Sequence, residues 1–341
     1  YIKKKIKDFS NLEPNIVFDK EGLIFFEKQG GLIKYDYSHK IVWRENYYSK
    51  QEKKSNPLLS FGYNETSLIV TDSLAKYYRV DLKTGKMLWS EINSSPFNSQ
   101  IKIYKDKFYA VDLENVIHCF SLKDGKKIWS YQTENFFIKS KKKLSIIIDK
   151  EKVIFNNSIG DITAVDLNKG TLIWQTPTQN NRIYAQAISL RTSDLVSDDD
   201  TIFFSNNKNE FYSLNKSNGF INWKQIINSE IKPIITNKII FTLSDKGFLF
   251  LIDSINGNIL RSHDLFVNFN LKKRNTIKPI GMILSVNKIF ITLSNGRIVI
   301  ANIKNGKFIK IIKLDNKIIS KPMVFNKKLF IIKDNSIIEF D

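Results

Sequence analysis

The sequence holds one cysteine in 341 residues, so no internal disulfide can form. That thiol, Cys119, sits in the apolar run Val116-Ile117-His118-Cys119-Phe120, where nothing nearby is built to activate it, and it reads as a buried structural residue. Proline is scarce, at seven residues. No run of eighteen apolar residues occurs, which leaves no candidate transmembrane helix. Long helical periodicities are missing as well. Arginine supplies only seven of the 53 basic side chains. The formal charge of +19 invites a polyanion partner, but readers of phosphates and base edges favour the bidentate arginine fork. The lysines here are instead scattered through turns along the whole chain, so no nucleic acid is expected. Attraction to an anionic membrane surface is compatible with such a charge.

Catalytic and metal-binding patterns are equally sparse. The three histidines, His39, His118 and His263, lie far apart without ligand spacing. The acidic run Asp198-Asp199-Asp200 lacks the alternating donors, glycine and distal glutamate of a calcium loop and reads as a solvated loop. There is no discernible nucleophile–base pair and no glycine loop to cradle phosphate. The expectation is no catalytic residue, no metal and no cofactor.

What the chain does have is a repeated phrase. Ala164-Val165-Asp166-Leu167-Asn168-Lys169-Gly170-Thr171-Leu172-Ile173-Trp174 reads as strand, tight turn and strand. Glycine fits the turn because it takes positive φ without a Cβ clash. Gly85 with Trp89, Gly125 with Trp129, and Gly219 with Trp223 repeat the spacing. Trp43 has His39 in the glycine position, while Arg261 and Lys310 stand where tryptophan is expected in two later copies. Aligned on Asp166, eight copies fall at Tyr35, Asp81, Ser121, Asp166, Asn215, Asp253, Asn302 and Asp341. A period in the forties with several short strands per unit marks a β-propeller blade.

The last copy stops before its final strand. An open sheet edge invites pairing with other chains, so the N-terminal segment Ile2 to Phe9 is expected to supply the missing strand. The predicted fold is therefore a single all-β domain over residues 1–341. It is an eight-bladed β-propeller of four-stranded antiparallel blades, closed by the N-terminal strand in the last blade.

The pattern Ala-x-Asp-x-x-x-Gly-x-x-x-Trp, complete at Ala164, Asp166, Gly170 and Trp174, resembles the tryptophan-docking motif of the PQQ-like repeat family. The resemblance implies that each Trp packs between adjacent blades. Arg261 and Lys310 depart from the pattern and imply looser packing between the late blades. The enzymes of that family hold PQQ over a Ca²⁺ site and are far longer than this chain. Its scaffold branch, the BamB-like outer-membrane protein assembly factors, is similar in length and repeat count. After the fourth Trp comes a long connection, Thr178 to Asp200. It contains Ile188-Ser189-Leu190-Arg191, which resembles a phrase that contacts the POTRA domains of BamA in those factors.

Carried over, Ile188, Leu190 and Arg191 are candidate anchors, an apolar pair beside an arginine being apt for an interface hot spot. The alternative is that the apolar pair packs under its own loop. Before the next blade, Asn228-Ser229-Glu230-Ile231-Lys232-Pro233 matches an acidic stretch, with Glu230 as one acid and Asn228 in place of the other. The resemblance implies a non-catalytic scaffold, monomeric within a hetero-complex, that binds BamA-like POTRA domains and nascent outer-membrane β-barrel proteins. It would sit at the periplasmic face of the bacterial outer membrane, held by a lipid anchor outside this chain. A PQQ-dependent dehydrogenase and a generic protein- or polyanion-binding propeller are the alternatives.

Overall fold

A computed structural model describes residues 2–3, 16–134, 139–140, 142–178, 190–333 and 336–340. The strands assemble into eight antiparallel sheets of four strands each, the blades of an eight-bladed β-propeller. In blades one to seven the order in the sheet is the order in the sequence. The chain forms two compact units. Asn15–Leu190 carries blades one to four, and Tyr1–Pro14 with Arg191–Asp341 carries blades five to eight. Among the described residues no helix is long and apolar enough to cross a membrane.

The strands within a blade differ in what they bury. Second strands such as Ser67–Asp72 are covered along their whole length, and they read as nearly continuous apolar runs for that reason. Fourth strands are open. In Ile41–Glu45 only Trp43 is buried, and in Leu172–Thr176 only Trp174. Several blades begin with a short first strand, such as Lys102–Tyr104 or Ile234–Thr236, whereas blades two and seven begin with the longer Leu59–Tyr63 and Pro279–Leu284.

Blade eight borrows its last strand. Met323–Phe325, Lys328–Lys333 and Ser336–Phe340 supply three strands, and Ile2–Lys3 pairs antiparallel with the third of them. The register sets Ile2 opposite Ile337 and Lys3 opposite Ser336. The rest of the expected strand, residues 4 to 9, lies outside the described residues, as does Asp341.

The tryptophans explain the repeat. Within Asn15–Leu190, Trp43 packs on Gly85, Trp89 on Gly125 and Trp129 on Gly170. Within the other unit Trp223 packs on Gly257. Each indole Nε1 also donates to a backbone carbonyl of the blade it meets: Leu82 at 3.2 Å, Leu122 at 3.1 Å, Leu167 at 3.2 Å and Ser254 at 3.3 Å. A buried indole needs such an acceptor. The motif therefore works across neighbouring blades, since the turn of Asp166 and Gly170 receives the Trp129 of the blade before it. Trp174 is buried in its turn.

Asp166 builds that turn. Its Oδ1 accepts the Asn168 and Lys169 amides at 2.8 and 2.7 Å, and the Gly170 amide donates to the Asp166 carbonyl at 2.9 Å. Gly170 has φ of +69°, and a Cβ there would lie 2.4 Å from Trp129 Cε3. In blade one His39 takes the same left-handed conformation, at φ 65°.

The seam between blades six and seven is filled despite Arg261, contrary to the looser packing expected there. The Arg261 and Lys310 side chains are both exposed. The space against Gly306 is filled instead by His263, Leu251 and Leu249. Leu249 and Leu251 join Val299, Ala301, Leu265 and Phe266 in one buried cluster spanning blades six and seven. Aliphatic side chains from the blade's third strand do there what one indole does elsewhere.

Candidate partner-binding surface

The candidate surface lies at the start of blade five, where the chain runs extended. Leu190 is 5% exposed, Arg191 is open to solvent, and Thr192 and Ser193 are buried. From Leu190 to Thr192 the side chains alternate in, out, in, as extended chain requires, while Ser193 is buried as well; the alternation separates Leu190 from Arg191. Leu190 is spent on packing, while Arg191 faces out. Ile188 lies outside the described residues.

The Arg191 backbone is fixed first. Its amide donates to Asn207 Oδ1 at 2.9 Å, and its carbonyl accepts from the Asn207 amide at 3.0 Å. Thr192 then bridges antiparallel to Asn206, which in turn bridges parallel to Asn228. The connection into blade six is thereby laid beside the connection into blade five. Ser229 holds it there, its amide donating to the Asn206 carbonyl at 3.2 Å and its hydroxyl to the Leu243 carbonyl at 2.7 Å. Glu230 follows, and Arg191 Nη1 meets its Oε2 at 3.4 Å. Two residues 39 apart in sequence are thus joined by three asparagine-centred links.

The Arg191 side chain is 52% exposed and Glu230 26%. An exposed pair of this kind adds little stability, and it engages one nitrogen of the guanidinium while leaving the other donors for a partner. Asn228 stands differently. The residue is half-buried, and its Oδ1 is covered and finds no hydrogen-bond partner among the described residues.

One neighbour escaped the sequence reading. Glu210 Oε2 accepts from Asn206 Nδ2 at 2.9 Å, and its Oε1 meets Lys224 Nζ at 3.1 Å. Burial pushes the Glu210 carboxyl up, but hydrogen bonds from Asn206, Tyr212 and Lys224 outweigh it and hold the group below its usual range. Glu210 is therefore a fixed negative charge two bonds removed from Asn228. Only the hairpin register could have revealed it.

Elsewhere the chemistry is structural. Burial pushes the Cys119 thiol up to about 11, which leaves it protonated and unreactive at neutral pH. His118 Nε2 lies 2.8 Å from Asp112 Oδ2 in the interior of blade three, while His39 is a turn residue and His263 packs on Gly306. Asp198 ends the first strand of blade five, and Asp199 turns the chain into the second at φ 44°. Among the described residues no group of three His, Cys, Asp or Glu side chains converges as a metal site.

Residues 28–263 match the family described as outer membrane protein assembly factor BamB. That span takes in all five tryptophans and the Arg191–Glu230 pair. The chain belongs to the BamB family of outer membrane protein assembly factors. A BamB of Moranella endobia (strain PCIT) is 22% identical over 334 residues, covering 95% of this chain and 83% of that protein. The crystal structure of BamB from Moraxella catarrhalis superposes with a TM-score of 0.76 at 15% identity, covering 95% of each chain. The fold alone is shared more widely. The computationally designed Ika8 protein matches with a TM-score of 0.72 at 9% identity, covering 95% of this chain and 94% of that one. Saccharomyces cerevisiae Sqt1 matches at 0.70 and 12%, covering 95% and 98%. Propellers this unlike in sequence share blade geometry and little else. BamB-family membership therefore rests on the sequence match across blades one to six, not on the architecture.

Proposed function

We propose that this chain is a non-catalytic scaffold of the outer-membrane β-barrel assembly machinery. It binds the POTRA domains of a BamA-type partner through the surface around Arg191, and it serves β-barrel clients at the periplasmic face of the outer membrane as a lipoprotein. The observation that carries this reading is the BamB-family match over residues 28–263, which includes the Arg191–Glu230 pair. The physical case is consistent with it. The apolar side chains of the second and third strands are consumed by packing between blades, so the fold's free resources are its connections and its open fourth strands. A half-exposed guanidinium on one such connection, its backbone fixed by Asn207, suits a carboxylate on a partner. Of the three residues that the motif singles out, Arg191 is exposed and Leu190 buried, while Ile188 lies outside the described residues.

The test is Arg191→Glu in the full chain, mixed with purified POTRA domains. Reversing an interface charge of hot-spot rank lowers affinity by about 30-fold or more. The melting temperature stays at the wild-type value, because an exposed ion pair contributes only about 0–1 kcal/mol. Wild-type affinity in the variant would remove Arg191 from the interface. Failure of the wild-type chain to bind POTRA domains at all would remove the partner assignment itself.

A further inference from the structure

The basic excess of this chain has a focus that the assembly-factor reading leaves unused. The connection from blade six to blade seven, residues 265–278, lies beyond the family-matched span. From Asp264 to Lys278 it carries Lys272, Lys273, Arg274 and Lys278 against one carboxylate, Asp264. Its base is firmly held. Leu265, Phe266 and Ile277 are buried in the cluster shared by the two blades. The Phe266 ring fills the space over Gly247, and Phe269 meets it edge-on at 5.4 Å. Asp264 accepts the Phe266 amide at 2.9 Å and pairs with the Arg274 guanidinium. Asn270 Oδ1 accepts the Lys272 amide at 3.0 Å and opens the single helical turn Leu271–Arg274.

On this fixed base two aliphatic side chains are turned outward. Leu271 is 76% exposed and Val267 60%. Lys272, Lys273 and Lys278 are exposed beside them, and none of the three pairs with a carboxylate among the described residues. A single exposed aliphatic is ordinary. Two of them on a rigid loop among three free ammonium groups form the combination that favours an interface between apolar chains and negative headgroups.

We propose that residues 265–278 dock onto an anionic phospholipid bilayer, with Val267 and Leu271 entering the boundary between headgroups and acyl chains and Lys272, Lys273 and Lys278 lying among the phosphates. Charge complementarity selects this partner class. A single-stranded nucleic acid is gripped by exposed aromatic rings and free arginines. Here Phe269 is turned onto Phe266 and Arg274 is tied to Asp264. A protein hot spot likewise draws on aromatics and arginine. Compact, strongly hydrated ammonium groups beside aliphatic side chains suit a diffuse field of phosphates instead. This contact is separate from Arg191 and does not depend on the assembly-factor reading.

Flotation of the full chain with vesicles tests it. Binding is expected to vesicles of about 30 mol% phosphatidylglycerol in phosphatidylcholine and not to phosphatidylcholine alone, and it is released by high salt. Lys272→Gln with Lys273→Gln should lower partitioning about tenfold or more. Val267→Ser with Leu271→Ser should lower it several-fold while the salt dependence remains. A second measurement needs no loss of binding: Leu271→Cys, labelled with an environment-sensitive fluorophore while Cys119 stays buried, should shift to the blue on anionic vesicles. Equal binding to neutral vesicles, wild-type partitioning in the lysine double variant, an unmoved fluorophore, or binding of an RNA oligonucleotide without vesicle binding would each overturn the proposal.

Discussion

Asp166 and Gly170 act through the backbone. The Lys169 amide, with that of Asn168, holds the Asp166 carboxyl below its usual range. A depressed carboxylate contributes stability that is present above its unfolded value and is lost as pH falls through the folded one. Asn215 and Asn302 occupy the same turn position in other blades and accept the equivalent amides, from Ser217 and Lys304, each at 2.9 Å. Asp166→Asn should therefore preserve the turn while abolishing its titration. The expected result is a wild type at least as stable as the variant at pH 7, with any advantage shrinking as pH falls below the ordinary carboxylate range. A gap in melting temperature that stays constant as pH falls would contradict it. Gly170→Ala tests the other half of the turn. The left-handed φ alone costs about 1–2 kcal/mol for a residue with a Cβ, and the methyl would also displace the Trp129 ring. Calorimetry should show a lower melting temperature, whereas Lys169→Ala, one residue earlier, should leave it nearly unchanged. A Gly170→Ala protein as stable as wild type would mean that the indole does not press on this turn.

Among the elements, the fourth strand is the most informative. In blades one to seven its pairing with the third strand slips by one residue at the same place, as between Ala164 and Val165 or Ser213 and Leu214. Trp174 opposes Ala164 and Leu172 opposes Val165, which leaves Ile173 unpaired and exposed. A bulge twists the strand and disturbs an edge that would otherwise template another chain. The sequence shows an apolar residue before four of the five tryptophans, with Asn222 before Trp223, but not the slip, because a bulge keeps the local pattern and changes only the partner. The shortest first strands were hidden for a different reason. At three residues each in blades three and six, and only half-buried, they are too short for period-two alternation to register. The borrowed strand of blade eight was legible, since counting repeats shows one strand short. Removing residues 1–10 deletes the Ile2 and Lys3 pairing with Ile337 and Ser336 and should lower the melting temperature by several degrees. An unchanged value would refute the closure.

At the scale of the whole molecule, the charge of +19 and the isoelectric point near 9.6 describe a chain drawn to anionic surfaces. They do not say where. The two outward-facing features argued above, the Arg191 connection and the 265–278 connection, both occupy the blade-to-blade links, where backbone is free of the ladders that consume the strands. The sequence by itself determined the repeat, the count of blades, the turn residues, the seam tryptophans and the family. Each of these follows from local spacing, or from a short motif that works the same way in every copy. Only the tertiary structure decided that Leu190 turns in while Arg191 turns out, that Glu230 closes on Arg191, and that leucines replace an indole against Gly306. It also decided that Val267 and Leu271 stand outside a loop whose other apolar residues are buried or half-buried. The reason is that exposure and pairing belong to contacts between residues far apart in the chain, and a linear pattern carries no record of which distant side chain reaches a given space first.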